Sequence, residues 1–441
     1  MKYFSFVSKN PQFFLLLFLF QGLVSCSKVN KKDLLPEQPM IPIVMAHGLI
    51  GSGDAYELQL LRFTSNGYPL ELIHTFEWNT LDPDFSGHVD DLDVFIDEVL
   101  SNTGFEQVDL VGHSYGTRLS MSYCSQTDRA KKVRNVVLMG GAVQTGPAGN
   151  AASRVPTLNI WSPFDRIVSN GGNTPGATNL RLSQKDHFEV ASCRESFEAM
   201  YQFIRNRPPA TSDILPKGNA VISGKVVSFA ENISGNGATL EIYEVDPNTG
   251  NRIRSTADAL FSIGPDNRWG PFQTKTNARY EFRVSTGMAG DRPLRFYKEG
   301  FPRDNNNVII RYSPPEGSVF KLLFDLLPRD NNRPINVYFN ASQTMITGRD
   351  QLTMNGINLT TPLFALPNFS TVALFMFDVN GNSISDGTPL PVLRQIPALS
   401  VGDFFFPVHP DSSTTLIFNG RKIVMPSSMT QAEGVCIAVF D

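Results

Sequence analysis

A chain of 441 residues is long enough, at roughly 100–200 residues per domain, for two or three domains, each with a core of its own. Its 38 basic and 42 acidic side chains leave a formal charge of −4 and form no long block of one sign, which excludes nucleic acid as the main partner. With 41% hydrophobic residues and only 34 Gly and 30 Pro, the composition is that of a folded globular protein, neither disordered nor collagen-like.

Lys2 and Lys9 precede an apolar run from Phe13 to Phe20, which is followed by Gln21, Gly22 and Leu23-Val24-Ser25-Cys26. A charged start, a greasy centre and small residues at the end are the order of an export signal that is cut away. The eight consecutive apolar residues fall short of the ~20 that a spanning helix needs. Leu23 to Cys26 resembles the lipobox of bacterial lipoproteins, which implies cleavage before Cys26 and acylation of that cysteine. Residues 1–25 then read as signal peptide and 26–39 as a polar tether, holding the protein at the bacterial cell envelope, on the outer membrane or cell surface. A plain secretory signal with an incidental Cys26 is the alternative, and it gives a freely soluble protein. Loss of Lys2 and Lys9 leaves 36 basic against 42 acidic residues, a charge of −6. The remaining cysteines, Cys124, Cys193 and Cys436, are odd in number and widely spaced, so no disulfide framework is implied and buried free thiols are expected. No metal-ligand spacing is present. Sequons at Asn232, Asn340, Asn358 and Asn368 carry no weight in a bacterial chain.

From Ile41 the pattern becomes that of an α/β fold. Apolar runs at Ile41–Met45, Leu70–Phe76, Val108–Val111, Asn135–Met139, Thr157–Trp161 and Thr178–Leu182 predict buried strands. Helical periods lie between them: Val89, Leu92, Phe95, Ile96, Val99 and Leu100 share one face, and Phe197, Met200, Tyr201 and Ile204 share another. Alternating strands and helices predict a mostly parallel sheet covered on both faces over residues 40–209, ended by Arg207-Pro208-Pro209. Residues 210–441 differ. Short strand-like runs at Val221–Val227, Ala238–Tyr243, Tyr280–Val284, Asn307–Arg311, Ile335–Phe339, Val372–Phe377 and Gly434–Val439, with turns such as Asp246-Pro247-Asn248 and Asn380-Gly381-Asn382, predict an all-β sandwich or barrel.

The strand Val108–Val111 runs into Gly112-His113-Ser114-Tyr115-Gly116 and then a helical stretch. As a pentapeptide, G-x-S-x-G is weak; between strand and helix it is the sharp turn that exposes a nucleophilic serine, with small residues where side chains would collide. A serine hydroxyl needs a histidine to take its proton and a carboxylate to orient that histidine, in the chain order Ser, acid, His. Downstream of Ser114 the histidines are His187, in a loop before the last helix, and His409, in a turn of the β-rich region. His187 is the expected base. Asp165, in the loop after Thr157–Trp161, is the expected acid; Asp186 is its rival, but a side chain adjacent in sequence points away from its neighbour's ring. Asp109 and Asp128 read as a strand residue and a solvated helix end. The oxyanion of the tetrahedral intermediate requires two backbone N–H groups, expected from Tyr115 and, in the loop after the first strand, from Leu49 of Ala46-His47-Gly48-Leu49-Ile50-Gly51. Gly48 permits that turn, His47 shapes the loop, and Gly112, His113 and Gly116 support the elbow. Such chemistry needs no cofactor.

With these residues in place the chain resembles the α/β-hydrolases, and more closely the two-domain lipases that append a C-terminal β-barrel lipid-binding domain. The matching words are His47-Gly48-Leu49-Ile50-Gly51-Ser52, Asn66-Gly67-Tyr68-Pro69, Val108 to Thr117, His187 to Ile204 and Pro209 to Ile214, continuing more weakly through Val221 to Arg252. The resemblance implies a serine carboxylic-ester hydrolase, a lipase acting on acyl esters or acylglycerols, with the β-region helping to hold lipid. Two departures stand out. Some relatives place the acid at the end of the strand after the nucleophile helix, where this chain has Met139-Gly140-Gly141; and only Thr80 to Gly87 and Gly141 to Arg154 are available for a lid. A reduced lid leaves room for a short-chain carboxylesterase, with a peptidase or amidase as another enzymatic alternative and a surface lipid- or glycan-binding lipoprotein as the non-enzymatic one. The apolar clusters Leu363 to Leu366 and Phe404 to Phe406 read first as β-core and second as a lipid groove.

Overall fold

Strands buried on both faces must be apolar at every position, and Ile43–Ala46 (β1) is completely buried along its length. Around it a computed structural model, which describes residues 36–288, 291–365, 371–390, 398–409, 411–427 and 433–441, builds two β-rich halves of one body spanning Glu37–Asp441. The signal, Cys26 and the tether up to residue 35 lie outside the described residues.

The first half is an α/β layer structure. After β1 come α1 (Glu57–Ser65), β2 (Ile73–Phe76), α2 (Phe85–Thr103), β3 (Val108–His113), α3 (Tyr115–Cys124), α4 (Thr127–Lys131) and β4 (Val133–Met139). A small hairpin of β5 (Gly149–Asn150) and β6 (Ser153–Arg154) precedes β7 (Thr157–Trp161), β8 (Thr178–Arg181), α5 (Glu189–Ser192) and α6 (Arg194–Arg205). The sheet order is β2-β1-β3-β4-β7-β8 and every pairing is parallel. Alternation sorts the strand residues between two cores. Ile43, Met45, Val111, Val137, Leu158 and Ile160 pack against α1 and α6 through Leu60, Phe63, Phe197, Met200 and Ile204. Val44, Ala46, Leu110, Val136 and Leu138 pack against α2 and α3 through Leu92, Ile96, Val99, Leu119 and Tyr123. Each element expected from the sequence forms, except that Leu70–Leu72 is a 3₁₀ turn ahead of β2. Helix α2 starts four residues before the expected Val89, where the Asp84 carboxylate accepts the Gly87 N–H at 3.0 Å, and it ends at Gly104 in the left-handed region.

The second half contains β9 (Val221–Ser228), β10 (Thr239–Val245), β11 (Ala259–Ser262), β12 (Arg268–Gln273), β13 (Arg279–Ser285), β14 (Leu294–Lys298) and β15 (Asn305–Tyr312). One short helix, α7 (Val319–Asp325), separates them from β16 (Asn336–Phe339), β17 (Leu352–Met354), β18 (Ile357–Asn358), β19 (Ala373–Phe377), β20 (Leu399–Asp403), β21 (Ser413–Phe418), β22 (Arg421–Pro426) and β23 (Val435–Val439). A mixed eight-stranded sheet, β11-β10-β13-β14-β23-β16-β19-β20, is flanked by the three-stranded β12-β9-β15 and the four-stranded β18-β17-β21-β22. Its Phe296, Val337, Phe375 and Ile437 face the three-stranded sheet and α7, while Tyr297, Tyr338, Leu374 and Met376 face the four-stranded one. This is a layered sandwich. Strand β23 lies parallel to both β14 and β16 and so joins the earlier and later strands of this half. Phe404, Phe406, Phe364 and Ala365 belong to the core beside the four-stranded sheet, as the first of the two readings expected, whereas Leu366 lies outside the described residues. Cys124, Cys193 and Cys436 are buried free thiols. Among the described residues, no helix is long and apolar enough to cross a membrane.

Candidate active site

Strand β3 delivers Ser114 to the carboxyl edge of the parallel sheet, where the chain reverses into α3 with Ser114 at φ 53°, ψ −117°. So sharp a reversal brings backbones together, and the two motif glycines lie where they touch. A Cβ on Gly116 would stand 2.1 Å from the Ala46 carbonyl oxygen, and one on Gly112 would stand 2.4 Å from the Gly116 carbonyl oxygen. Gly48 faces the serine itself, where a Cβ would come within 2.7 Å of Ser114 Cβ. Ser114 is anchored through its own N–H, which donates to the Met139 carbonyl at 2.9 Å.

His187 and Asp165 meet here from separate loops. The loop after β8 carries His187 and the loop after β7 carries Asp165, and His187 Nδ1 donates to Asp165 Oδ2 at 2.7 Å, both residues being buried. That bond fixes the tautomer and leaves His187 Nε2 free for a proton from elsewhere. The other carboxylate oxygen, Oδ1, accepts the Ile167 and Val168 amides at 2.9 Å each. Burial pushes the Asp165 carboxyl upward, but the His187 bond and these amides outweigh it and hold the group below its ordinary range. Asp186 faces elsewhere. Its Oδ1 caps α5 by accepting the Phe188 and Glu189 amides, and its Oδ2 accepts Arg349 Nη2 at 2.9 Å and the Thr344 amide at 3.2 Å, both from the second half. His113 reinforces the base from the elbow. Burial pushes its imidazole down to about 3, so the neutral ring donates through Nε2 to the His187 carbonyl at 2.9 Å. His409 is exposed, with its ring nitrogen accepting the Asp411 amide.

The loop after β1 packs over the elbow. Gly51 N–H donates to the Gly48 carbonyl at 3.1 Å and Ile50 N–H to Thr80 Oγ1 at 2.8 Å, leaving Leu49 at the tip with its side chain 56% exposed. Ile50 has φ 60°, a left-handed conformation that a β-branched residue enters only under constraint. Tyr115 opens α3, so its N–H has no carbonyl one turn back in the helix. His47 lies fully buried beneath the loop: Nδ1 donates to the Gly48 carbonyl at 2.9 Å, Nε2 accepts the Trp78 amide at 3.3 Å, and burial lowers its basicity.

Ser114, His187, Gly48, Leu49 and Ile50 line one cavity of ≈ 160 Å³. Its far wall was not legible in the sequence. Phe229, Phe320, Phe339, Ala341, Val372 and Leu399, all from the second half, close it. Arg311, also in the wall, forms a two-pronged buried pair with Asp54 at 2.7 and 2.9 Å. Helix α7 thus contributes Phe320 to the wall of the cavity that also holds Ser114. These residues lie more than a hundred positions from Ser114 in sequence, and no local pattern marks them apart from other strand residues. Asn232, visible beforehand only as a sequon, is buried against the loop of Gly48 to Ser52. Among the described residues, no group of three or more His, Cys, Asp or Glu side chains is arranged to hold a metal ion.

A family model for the alpha/beta hydrolase fold matches residues 41–213, and one for the lipase C-terminal domain matches residues 218–315. Among solved structures, a lipase of Bacillus licheniformis aligns in its mature form at 17% identity, over 39% of this chain and 94% of that one, with a TM-score of 0.32. Its propeptide form aligns at 14% identity over 59% of this chain and 94% of that one, with a TM-score of 0.33. The esterase PE8 aligns at 15% identity over 39% and 95%, with a TM-score of 0.29.

Proposed function

From a chain that joins an alpha/beta-hydrolase fold to a lipase C-terminal domain, we propose a serine carboxylic-ester hydrolase of the lipase and esterase kind that works through an acyl-enzyme. The observation that carries this reading is the 2.7 Å bond to Asp165 from His187, which lines the cavity together with Ser114 on its strained turn.

In the proposed reaction Ser114 Oγ attacks the ester carbonyl and its proton passes to His187 Nε2. The imidazolium is stabilised by Asp165, and it returns the proton to the leaving alcohol as the C–O bond breaks. Water then repeats the sequence on the acyl-serine and releases the acid. The amides of Leu49 and Tyr115 are assigned to the oxyanion, each such donor being worth about 10²–10³ in kcat. Every step uses groups of the chain itself.

The cavity speaks for a short acyl chain. Its ≈ 160 Å³ is close to the ~150 Å³ of an apolar cavity that accepts a benzene-sized guest, so a short acyl chain fills it. A short-chain carboxylesterase is therefore the second reading, beside a lipase whose longer acyl chains would extend beyond this cavity. Acylation at Cys26 would hold either enzyme at an envelope membrane, where lipid substrate is concentrated.

Hydrolysis of p-nitrophenyl esters from short to long acyl chain, by protein lacking residues 1–26, tests the proposal. Ser114→Ala is expected to lower kcat by a factor on the order of 10⁶. Absence of turnover on every ester would sink the reading and turn attention to amides and then to lipid binding.

A further inference from the structure

Asn232 lies in the connection from β9 to β10, in the second half of the molecule, yet its carboxamide makes contacts with the loop that follows β1. Its Nδ2 donates to the Gly51 carbonyl at 2.6 Å and to the Trp78 carbonyl at 3.2 Å. Its Oδ1 accepts the Ser52 hydroxyl at 2.5 Å, and Nδ2 also lies 3.3 Å from His47 Nε2. Two carbonyl oxygens can only face the NH₂ end, so the orientation of the amide is dictated by its neighbours. Both hydrogens of that NH₂ face carbonyls and the one lone pair of His47 Nε2 accepts the Trp78 amide, so the approach to His47 is a packing contact beside a neutral ring that donates through Nδ1 to the Gly48 carbonyl.

The connection is shaped to deliver this group. Ala230 at φ 76° and Asn232 at φ 55° both occupy the left-handed region, and Ala230 lines the cavity that holds Ser114. Asparagine enters that region more readily than most residues. The clamped loop has use for such a brace, because Ile50 is held at φ 60° and both bonds that close the loop on itself, from Gly51 N–H and from His47 Nδ1, end on the Gly48 carbonyl. One planar group holds Gly51 and Ser52 together, and His47, packed beside it, donates separately to the Gly48 carbonyl. Leu49 stands between these anchors.

We propose that Asn232 is a positioning residue for the oxyanion loop: the second half of the molecule supplies the brace that aims the Leu49 amide. This rests on the ester-hydrolase reading above and adds to it a group that never touches substrate. A misaimed donor acts on the transition state more than on the bound ester, so its signature is a split between kcat and KM.

The test is steady-state kinetics on a short-chain p-nitrophenyl ester with Asn232→Ala, Ser52→Ala and the double variant, accompanied by thermal unfolding of each. Loss of an oxyanion donor outright costs about 10²–10³ in kcat, so loosening one is expected to cost about 10–100-fold in Asn232→Ala, with KM within about threefold. Ser52→Ala, a milder change that keeps the test alive if Asn232→Ala does not fold, should lower kcat about three- to tenfold. The double variant should be little worse than Asn232→Ala alone, because both changes break one contact. Reaction of Ser114 with a fluorophosphonate, which needs the same donors, should slow in parallel with kcat. Unchanged kcat in an active protein's Asn232→Ala and Ser52→Ala variants overturns the brace and leaves the ester-hydrolase reading standing. Wild-type protein without turnover overturns both.

Discussion

Asp165 and Asp186 are both buried carboxylates near His187, and their surroundings separate their roles. Asp165 spends one oxygen on His187 and the other on two loop amides, whereas Asp186 spends both oxygens on the start of α5 and on Thr344 and Arg349. Asp165→Asn is accordingly expected to lower kcat about 10⁴-fold through the wrong tautomer. Asp186→Asn keeps an acceptor for the cap and has no contact with the reacting groups, so kcat should stay within about threefold while the urea midpoint falls. Parallel kinetics and unfolding of the two variants read this out. A pH dependence follows from the lowered Asp165 pKa. An acid depressed in the folded state binds fewer protons there than in the unfolded chain, so its stabilisation is complete above the unfolded value of about 3.9 and is lost as pH falls through the depressed value. The urea midpoint of wild type should exceed that of Asp165→Asn by a constant margin above pH ~5 and converge on it below pH ~4.

Among elements, the turn from β3 into α3 and the helix α7 contribute in opposite ways. The turn is closely packed: a side chain on Gly112 would strike Gly116 and Ser120, and one on Gly116 would strike Ala46 and His47. Helix α7 is short, with Phe320 and Phe324 packed inward against Phe229 and with Leu322 66% exposed. Phe320 lines the cavity that holds Ser114, so in the proposed ester hydrolase it would bound the room for an acyl chain. Phe320→Ala removes a ring from the wall and should move the preferred p-nitrophenyl ester to a longer acyl chain, read as kcat/KM across the series. An unmoved optimum would show that α7 does not limit chain length.

At the scale of the molecule the two halves are joined by buried polar groups rather than by a slippery apolar face. Arg311 pairs with Asp54, Lys298 with Glu57 at 2.9 Å and Lys225 with Glu77 at 3.4 Å, and Asn307 bonds both Thr75 and the Gly53 carbonyl. Such pairs contribute little against apolar replacements of equal shape, but removal of one partner strands a charge away from water. Arg311→Ala is expected to cost about 3–5 kcal/mol, because Asp54 would be left buried and alone. Calorimetry should record one unfolding transition for wild type, since neither half can leave without exposing these groups. Two well-separated transitions would show the halves to be independent.

Local pattern carried a large part of this protein. Runs of buried apolar residues with helical periods between them specified the parallel sheet, and Gly112 to Gly116 between strand and helix marked the sharp turn that carries Ser114, because period and turn chemistry are properties of neighbouring residues. His187 and Asp165 could be singled out by chain order and by their place after strands. The β-rich half was only partly legible. β14, with its Arg295 and Lys298, and β20, with Ser400 and Asp403, bury polar side chains whose partners come from other parts of the fold, so they lack the apolar signature of a strand. Tertiary structure alone brought Phe229, Phe320 and Phe339 to the wall of the cavity, and Asn232 to the loop of Gly48 to Ser52. Those contacts join residues more than a hundred positions apart, and what places them is the packing of one half against the other, which no window of sequence contains.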